Sequence, residues 1–94
     1  MKFGLSKEVY IQIKECINKF PYKFLIFGSR ARGDYKQESD IDLAIMEFVN
    51  EDEKTKIRNE LDKLNVIYMI DIVFAYDSAK KELVESIKKE GVEF

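Results

Sequence analysis

Three acidic residues carry the chemistry that this sequence suggests. Asp40 and Asp42 are two residues apart, and Asp71 interrupts the otherwise apolar run 66–74. In an extended chain the first two side chains leave the same face, about 6.5–7 Å apart. If strands 41–48 and 66–74 are neighbours, Asp71 joins them in a cluster, where repulsion at about 5 Å is roughly 3 kcal/mol per pair for an effective dielectric near 20. A divalent cation reverses that sign, so the cluster predicts a metal site held by Asp40, Asp42 and Asp71.

A second group of residues is suited to phosphate. Gly28 and Ser29 follow a short apolar run. Glycine lets a phosphate approach the backbone closely, and the Ser29 hydroxyl and nearby N–H groups can donate to its oxygens. Metal, carboxylates and a phosphate cradle together indicate phosphoryl or nucleotidyl transfer. The predicted nucleotide-binding residues are Gly28, Ser29, Arg30, Arg32 and Ser39.

One carboxylate can also accept the proton of an attacking hydroxyl. Asp71 is the candidate, because an apolar surround would raise its pKa. Each motif also has a structural alternative. Gly28-Ser29 can be a capped turn, Asp40 and Asp42 can be solvated acids, and the two arginines can be surface residues or ion-pair partners of acids in the following loop. Asp71 is harder to explain in this way, because acids are depleted in strands.

Length and composition limit the class of protein. The chain has 94 residues and a net charge of −2, which indicates one domain over residues 1–94 and argues against a duplex-binding protein. There is no histidine, and Cys16 is the only cysteine, so a bound metal needs oxygen ligands, as Mg²⁺, Mn²⁺ or Ca²⁺ do. We expect a cytoplasmic protein, because no apolar run approaches the ~18 residues of a membrane span and no signal peptide is recognisable.

The pattern of apolar residues predicts an α/β (α+β) domain, a small mixed sheet packed with helices. Ser6, Ser29 and Ser78 are expected to cap helical segments, and Gly33 and Gly91 to end them. The run 66–74 is the strongest predicted strand. In strand 41–48, Ile41, Leu43 and Ile45 should share one face, with Asp42, Ala44 and Met46 on the other. Residues 92–94 are expected to form a short extended tail. The predicted helices are 6–19, 51–64 and 79–90, and the predicted strands are 23–27, 41–48 and 66–74.

The motif GSRARGDYKQESDIDLAI, followed later by IDIVF, resembles the minimal nucleotidyltransferase (MNT) family, a branch of the polymerase-beta-type nucleotidyltransferases. The family pattern is Gly-Ser, ten residues, Asp-x-Asp, and a third acid on a later strand. Gly28-Ser29, Asp40, Asp42 and Asp71 fill it with the matching spacing. The resemblance implies a polymerase-beta-like core, metal ligation by Asp40 and Asp42, completion of the site by Asp71, and phosphate binding by Gly28-Ser29.

The resemblance also implies an activity and a partner. Free-standing MNT proteins of this size are typically antitoxins that transfer AMP from ATP, with Mg²⁺ or Mn²⁺, to a tyrosine of a HEPN-domain ribonuclease toxin. Two alternatives stay open at this point. The chain can be an antitoxin that neutralises by binding alone, or a stand-alone nucleotidyltransferase acting on a small hydroxylated molecule.

Overall fold

The computed structural model describes residues 2–78 and 80–94. Along the chain, helices and strands alternate almost as predicted, with a short 3₁₀ helix, Ala75–Asp77, after the third strand. The elements are α1 (Lys7–Ile17), β1 (Phe24–Phe27), α2 (Ser29–Arg32), β2 (Ile41–Ile45), α3 (Glu51–Asp62), β3 (Ile70–Phe74), α4 (Lys81–Glu90) and β4 (Val92–Glu93).

The strands form one mixed sheet in the order β3-β2-β1-β4. β1 is antiparallel to both of its neighbours, whereas β2 and β3 are parallel. The parallel register pairs Asp42 with Asp71. A parallel pair needs a crossover connection, and α3 provides it. The predicted small mixed sheet is therefore confirmed.

The sheet has an apolar core on each face. Ile26, Leu43 and Ile45 point to one side and pack with buried residues of α1 and α3, including Ile13 and Ile57. The other side is smaller: Phe27 and Ala44 pack against Ile87 of α4. The strict alternation along β2 confirms the prediction that Ile41, Leu43 and Ile45 share one face while Asp42 lies on the other with Ala44 and Met46.

The strongest predicted strand is shorter than expected. The run 66–74 contributes only Ile70–Phe74 to the sheet. Ile67 is 91% exposed and Met69 is 67% exposed, so these two apolar side chains are not core residues. Among the described residues, the run lies at an edge of the sheet and has only β2 as a neighbour. Its apolar composition therefore did not show how many of its residues pair with β2.

Two helix caps also differ from the prediction. Ser29 does not cap α2; it is the first helical residue, and Gly28 occupies the capping position without a side-chain hydrogen bond. Ser78 accepts a hydrogen bond from the backbone N–H of Lys80, but it is not the cap of α4. Residue 79, where that helix was predicted to begin, lies outside the described residues. The predicted Ser6 cap and the Gly33 and Gly91 ends are confirmed.

The tail after α4 is extended, as predicted, but its pairing with the sheet as β4 was not predicted from the sequence. Val92 and Glu93 pair with Ile26 and Leu25 of β1. Phe94 is buried, and its ring stacks on Tyr10 with centroids 4.9 Å apart. This pairing covers the β1 edge of the sheet and leaves β3 as the other edge strand.

Asn50 caps α3, which the sequence analysis did not identify. Its side-chain oxygen accepts a hydrogen bond of 2.8 Å from the Glu53 N–H. We expect Asn50→Ala to lower the free energy of unfolding by about 1 kcal/mol, because one N–H of the first turn loses its partner. Urea denaturation measures this change. Asn59→Ala, on the exposed side of the same helix, is the control and should be neutral or slightly stabilising; an equal loss there would contradict the capping role.

Among the described residues, no helix is long and apolar enough to cross a membrane.

Candidate functional site

Asp42 and Asp71 lie side by side at the beginning of the two parallel strands. They are register partners on adjacent strands, so their Cα atoms are about 4.8 Å apart. The alternation of β2 and β3 directs both side chains to the face of the sheet that packs against α4. The sheet therefore brings together two acids that are far apart in sequence.

Asp40, the third acid, lies in the loop immediately before β2. It is exposed, whereas Asp42 is half-buried. Burial raises the pKa of Asp42, and the negative charges of Asp71 and then Asp40 raise that pKa further. The structure thus brings the three predicted carboxylates into electrostatic contact at one end of the sheet.

The raised pKa of Asp42 makes stability depend on pH in a definite direction. Above the ordinary value of 3.8, the folded chain retains a proton that the unfolded chain has lost, so stability decreases as pH rises through the raised folded pKa. We expect Asp42→Asn to be more stable than the wild type at neutral pH, and the difference to vanish below pH 3.8.

Urea denaturation of both proteins across this pH range, without divalent cations, measures the difference. Asp52→Asn removes an exposed acid from the first turn of α3 and is the control. It should show no gain, because an acid there favours the helix dipole. A wild type that gains stability relative to Asp42→Asn between pH 3.8 and neutrality would contradict the assignment.

Gly28 lies directly against the Asp42 carboxylate. Its φ is +77°, a conformation that side chains rarely adopt, and a Cβ added there would lie 2.6 Å from Asp42 Oδ2. The same turn continues into α2, where Ser29 is the first residue. A glycine at this position therefore makes room for the Asp42 carboxylate to lie against the turn.

Arg32 and Ser39 lie near the site, each with partners of its own. Arg32 is exposed and forms ion pairs with Asp34 and Glu90, both at 3.2 Å. It lies close enough to Asp42 to lower the pKa of that carboxyl, against the stronger effects that raise it. The Ser39 hydroxyl accepts a hydrogen bond of 2.8 Å from the Lys36 N–H and closes the turn before Asp40.

Arg30 does not face the site, in contrast to its predicted role in nucleotide binding. Its side chain is 2% exposed. Its guanidinium donates to the backbone carbonyls of Phe3, Gln37 and Ser39 at 2.9–3.2 Å. A guanidinium whose donors are engaged with backbone oxygens is not free to bind phosphate, so we leave Arg30 out of the proposed nucleotide-binding set.

Asp71 also differs from its predicted environment. The sequence suggested an apolar surround, but the residue is exposed, because β3 is an edge strand. The reason first given for Asp71 as proton acceptor is therefore wrong. The carboxyl whose pKa is raised by burial is that of Asp42.

The donor set fits a hard divalent cation. The three carboxylates supply oxygen ligands only, as Mg²⁺ and Mn²⁺ prefer. Within residues 2–78 and 80–94, no three acidic or cysteine side chains are gathered closely enough to hold an ion as they stand. Three like charges repel one another, so rotation of these side chains toward a cation is required. Asp40, Asp42 and Asp71 are the residues that would hold it.

Comparison with known proteins gives matches that agree with this geometry. Residues 12–94 match the family described as "Polymerase beta, Nucleotidyltransferase". A protein of Methanocaldococcus jannaschii, named "Putative protein adenylyltransferase MJ0141", is 32% identical over 92 residues, which cover 94% of this chain and 89% of that protein.

Two solved structures are similar to this one. A toxin–antitoxin crystal structure with AMP-PNP aligns with a TM-score of 0.67 at 18% identity, covering 88% of this chain and 69% of that chain, which shows a shared fold. A structure described as a putative nucleotidyltransferase from Sulfolobus solfataricus is 28% identical, with 94% of this chain and 77% of that chain covered and a TM-score of 0.49.

Proposed function

Because this chain belongs to the polymerase-beta-type nucleotidyltransferase family, and is therefore a nucleotidyltransferase, we propose that it transfers AMP from ATP to a hydroxyl of a partner protein. The observation that carries the proposal is the register of Asp42 beside Asp71, with Gly28 against the Asp42 carboxylate. We propose as acceptor a tyrosine of a HEPN ribonuclease toxin, which the modification would neutralise.

Each residue of the site has a proposed role. Asp40 and Asp42 would bind Mg²⁺, with Asp71 as the third carboxylate, and Gly28 and Ser29 would contact the phosphates of ATP. Arg32 and Ser39 lie near enough to assist in nucleotide binding. A bound Mg²⁺ supplies charge neutralisation for the triphosphate, which a cluster of carboxylates alone would repel.

The reaction balances as a simple displacement. The acceptor hydroxyl oxygen forms a bond to the α-phosphorus, the bond between that phosphorus and the bridging oxygen breaks, and pyrophosphate leaves. The hydroxyl proton passes to a carboxylate, for which we propose Asp71. Its exposure on the edge strand allows an incoming protein to reach it, whereas Asp42 faces the Gly28 turn.

Two further observations support a protein acceptor and ATP as donor. The M. jannaschii relative is named as a protein adenylyltransferase, and the toxin–antitoxin structure contains an ATP analogue.

The direct test is transfer of label from ATP labelled in the α-phosphate to the product of the neighbouring gene, in the presence of Mg²⁺. We expect label on that protein with the wild type and none with Asp71→Asn. If the product of the neighbouring gene carries no label, the proposal is refuted. Labelling of a small metabolite without a partner would favour the stand-alone enzyme instead.

A second candidate is an antitoxin that acts by binding alone. The observation that favours it is the fold that this chain shares with a chain of a toxin–antitoxin crystal structure. A variant with Asp40, Asp42 and Asp71 all replaced by asparagine separates the two possibilities. Full protection of cells by this variant supports neutralisation by contact, and lost protection by a folded variant that still binds its partner supports catalysis.

A further inference from the structure

Arg30 is a buried cation with an unusual set of partners. It is 2% exposed, and among the residues that the structure describes it forms no ion pair. Its charge is instead solvated by backbone carbonyls and aromatic rings. Burying a charge is costly unless hydrogen bonds compensate for the lost water. Arg30 is therefore stabilised by a network of contacts and not by a single partner.

The network reaches the segment that carries Asp40. Arg30 Nε and Nη2 both donate to the Ser39 carbonyl, at 3.1 and 2.9 Å, and Nη2 also donates to the Gln37 carbonyl at 3.2 Å. The Ser39 carbonyl belongs to the peptide that joins Ser39 to Asp40. A fork of two hydrogen bonds to one oxygen fixes both the distance and the orientation of this peptide.

The same guanidinium contacts the segment that leads to Asp71. Its carbon lies 4.5 Å from the centroid of the Tyr68 ring and 5.2 Å from that of Tyr35. Tyr68 is three residues before Asp71 and two before the start of β3. Arg30 itself follows Ser29, so one planar group touches all three segments on which the site is built.

We propose that Arg30 is a positioning residue that holds the Asp40 segment and the Tyr68 segment against the Gly28-Ser29 turn and so sets the spacing of the metal-binding carboxylates. This role rests on the proposed function, which identifies a divalent cation as the ligand of the three carboxylates. Lysine cannot replace this role, because an ammonium lacks the planar fork that donates to the Ser39 and Gln37 carbonyls while its face contacts aromatic rings.

Lys54 provides a matched control for loss of a buried cation. It is also buried, and it pairs with Glu51 at 2.8 Å and Asp77 at 2.6 Å. Asp77 follows the carboxyl end of β3, whereas Asp71 lies at its beginning. Lys54→Met therefore disturbs a buried charge at the opposite end of the same strand.

The first experiment needs no metal and no partner protein. NMR-detected hydrogen exchange of the folded protein reports on two amides of the turn before Asp40. The Lys36 N–H donates to Ser39 Oγ at 2.8 Å, and the Ser39 N–H donates to the Lys36 carbonyl at 3.0 Å. We expect Arg30→Lys to speed exchange of both amides by roughly tenfold or more relative to α1 amides, since their turn loses its anchor. Lys54→Met should leave this ratio unchanged. Equal protection in Arg30→Lys and wild type would overturn the proposal.

The second experiment measures Mn²⁺ affinity by electron paramagnetic resonance. Loss of a residue that orients metal ligands without touching the metal typically lowers metal affinity about 10–100-fold. We expect a loss of Mn²⁺ affinity in that range for Arg30→Lys. We expect no change for Lys54→Met, even though its melting temperature falls. An equal loss of affinity in both variants would assign the effect to general destabilisation and overturn the proposal. A wild type that binds no Mn²⁺ would refute the proposed function, while the exchange experiment would still decide the role of Arg30.

Tyr68 provides a test that does not depend on the folding of an Arg30 variant. Tyr68→Leu removes one of the rings beside the guanidinium, and Tyr68→Phe keeps it. We expect faster exchange of the Ser39 amide and weaker Mn²⁺ binding in Tyr68→Leu only. Wild-type behaviour of Tyr68→Leu in both measurements would show that the stacked network does not position the site.

Discussion

Asp42→Asn is expected to lower kcat/KM for adenylyl transfer by about 10³-fold or more, which corresponds to about 4 kcal/mol of lost transition-state stabilisation. Asp42 lies between the two other groups of the site, because its register partner is Asp71 and its Oδ2 faces Gly28. Asparagine keeps the size of the side chain but removes the charge that a divalent cation requires. The measurement is the initial rate of label transfer from ATP at saturating Mg²⁺.

This loss should not reflect unfolding. Because burial and two neighbouring carboxylates raise the pKa of Asp42, its charge opposes folding at neutral pH, and the variant should melt no lower than the wild type. Asp52→Asn is the control for removal of an acid elsewhere and should keep full activity. Activity retained by Asp42→Asn, or lost together with the folded structure, would contradict the role of this carboxylate.

Gly28→Ala is expected to reduce kcat/KM by roughly 10²-fold. The new Cβ would lie 2.6 Å from Asp42 Oδ2, so the carboxylate must move away from its position over the turn. Moving this carboxylate changes the spacing of the charges in the site and so weakens stabilisation of the transition state. The measurement is the initial transfer rate of the purified variant at ATP concentrations well below KM, where the rate is proportional to kcat/KM.

Gly33→Ala separates this effect from backbone strain. Both glycines have positive φ, +77° at Gly28 and +95° at Gly33, so both substitutions should lower stability. Gly33 is in the left-handed conformation, where a side chain costs roughly 1–2 kcal/mol. Gly28, with ψ of −156°, lies in a region almost restricted to glycine, where the cost is of order 1–3 kcal/mol. However, a Cβ at Gly33 has nothing within 4 Å. We therefore expect Gly33→Ala to melt lower but keep its activity. Equal losses of activity in the two variants would show that strain, and not the Asp42 contact, is responsible.

The sequence allowed the central part of the fold to be predicted from local rules. Alternation along residues 41–45 correctly assigned Asp42 to the face opposite Leu43, and two glycines marked helix ends. An apolar run with an acid in it indicated β3, and the three acids could form one cluster only if this strand lay beside β2. The parallel register of Asp42 with Asp71 confirms that neighbourhood.

What could not be predicted depends on residues far apart in sequence. Whether β3 lies at an edge is a property of the whole sheet, so the exposure of Asp71 and Ile67 was not readable from their own run. Arg30 is buried because the carbonyls of Phe3 and Ser39 and the ring of Tyr68 converge on it, and each of these partners is unremarkable alone. The Asn50 cap did have a local signal, since a glutamate follows three residues later.

If the site transfers AMP from ATP to a partner protein, that partner must gain mass. The most direct measurement is the intact mass of the neighbouring-gene product after incubation with this protein, ATP and Mg²⁺. We predict a mass increase of one or more adenylyl groups, with release of one pyrophosphate for each group and no change when Asp42→Asn replaces the wild type. A partner that is bound and neutralised with its mass unchanged would contradict the claim.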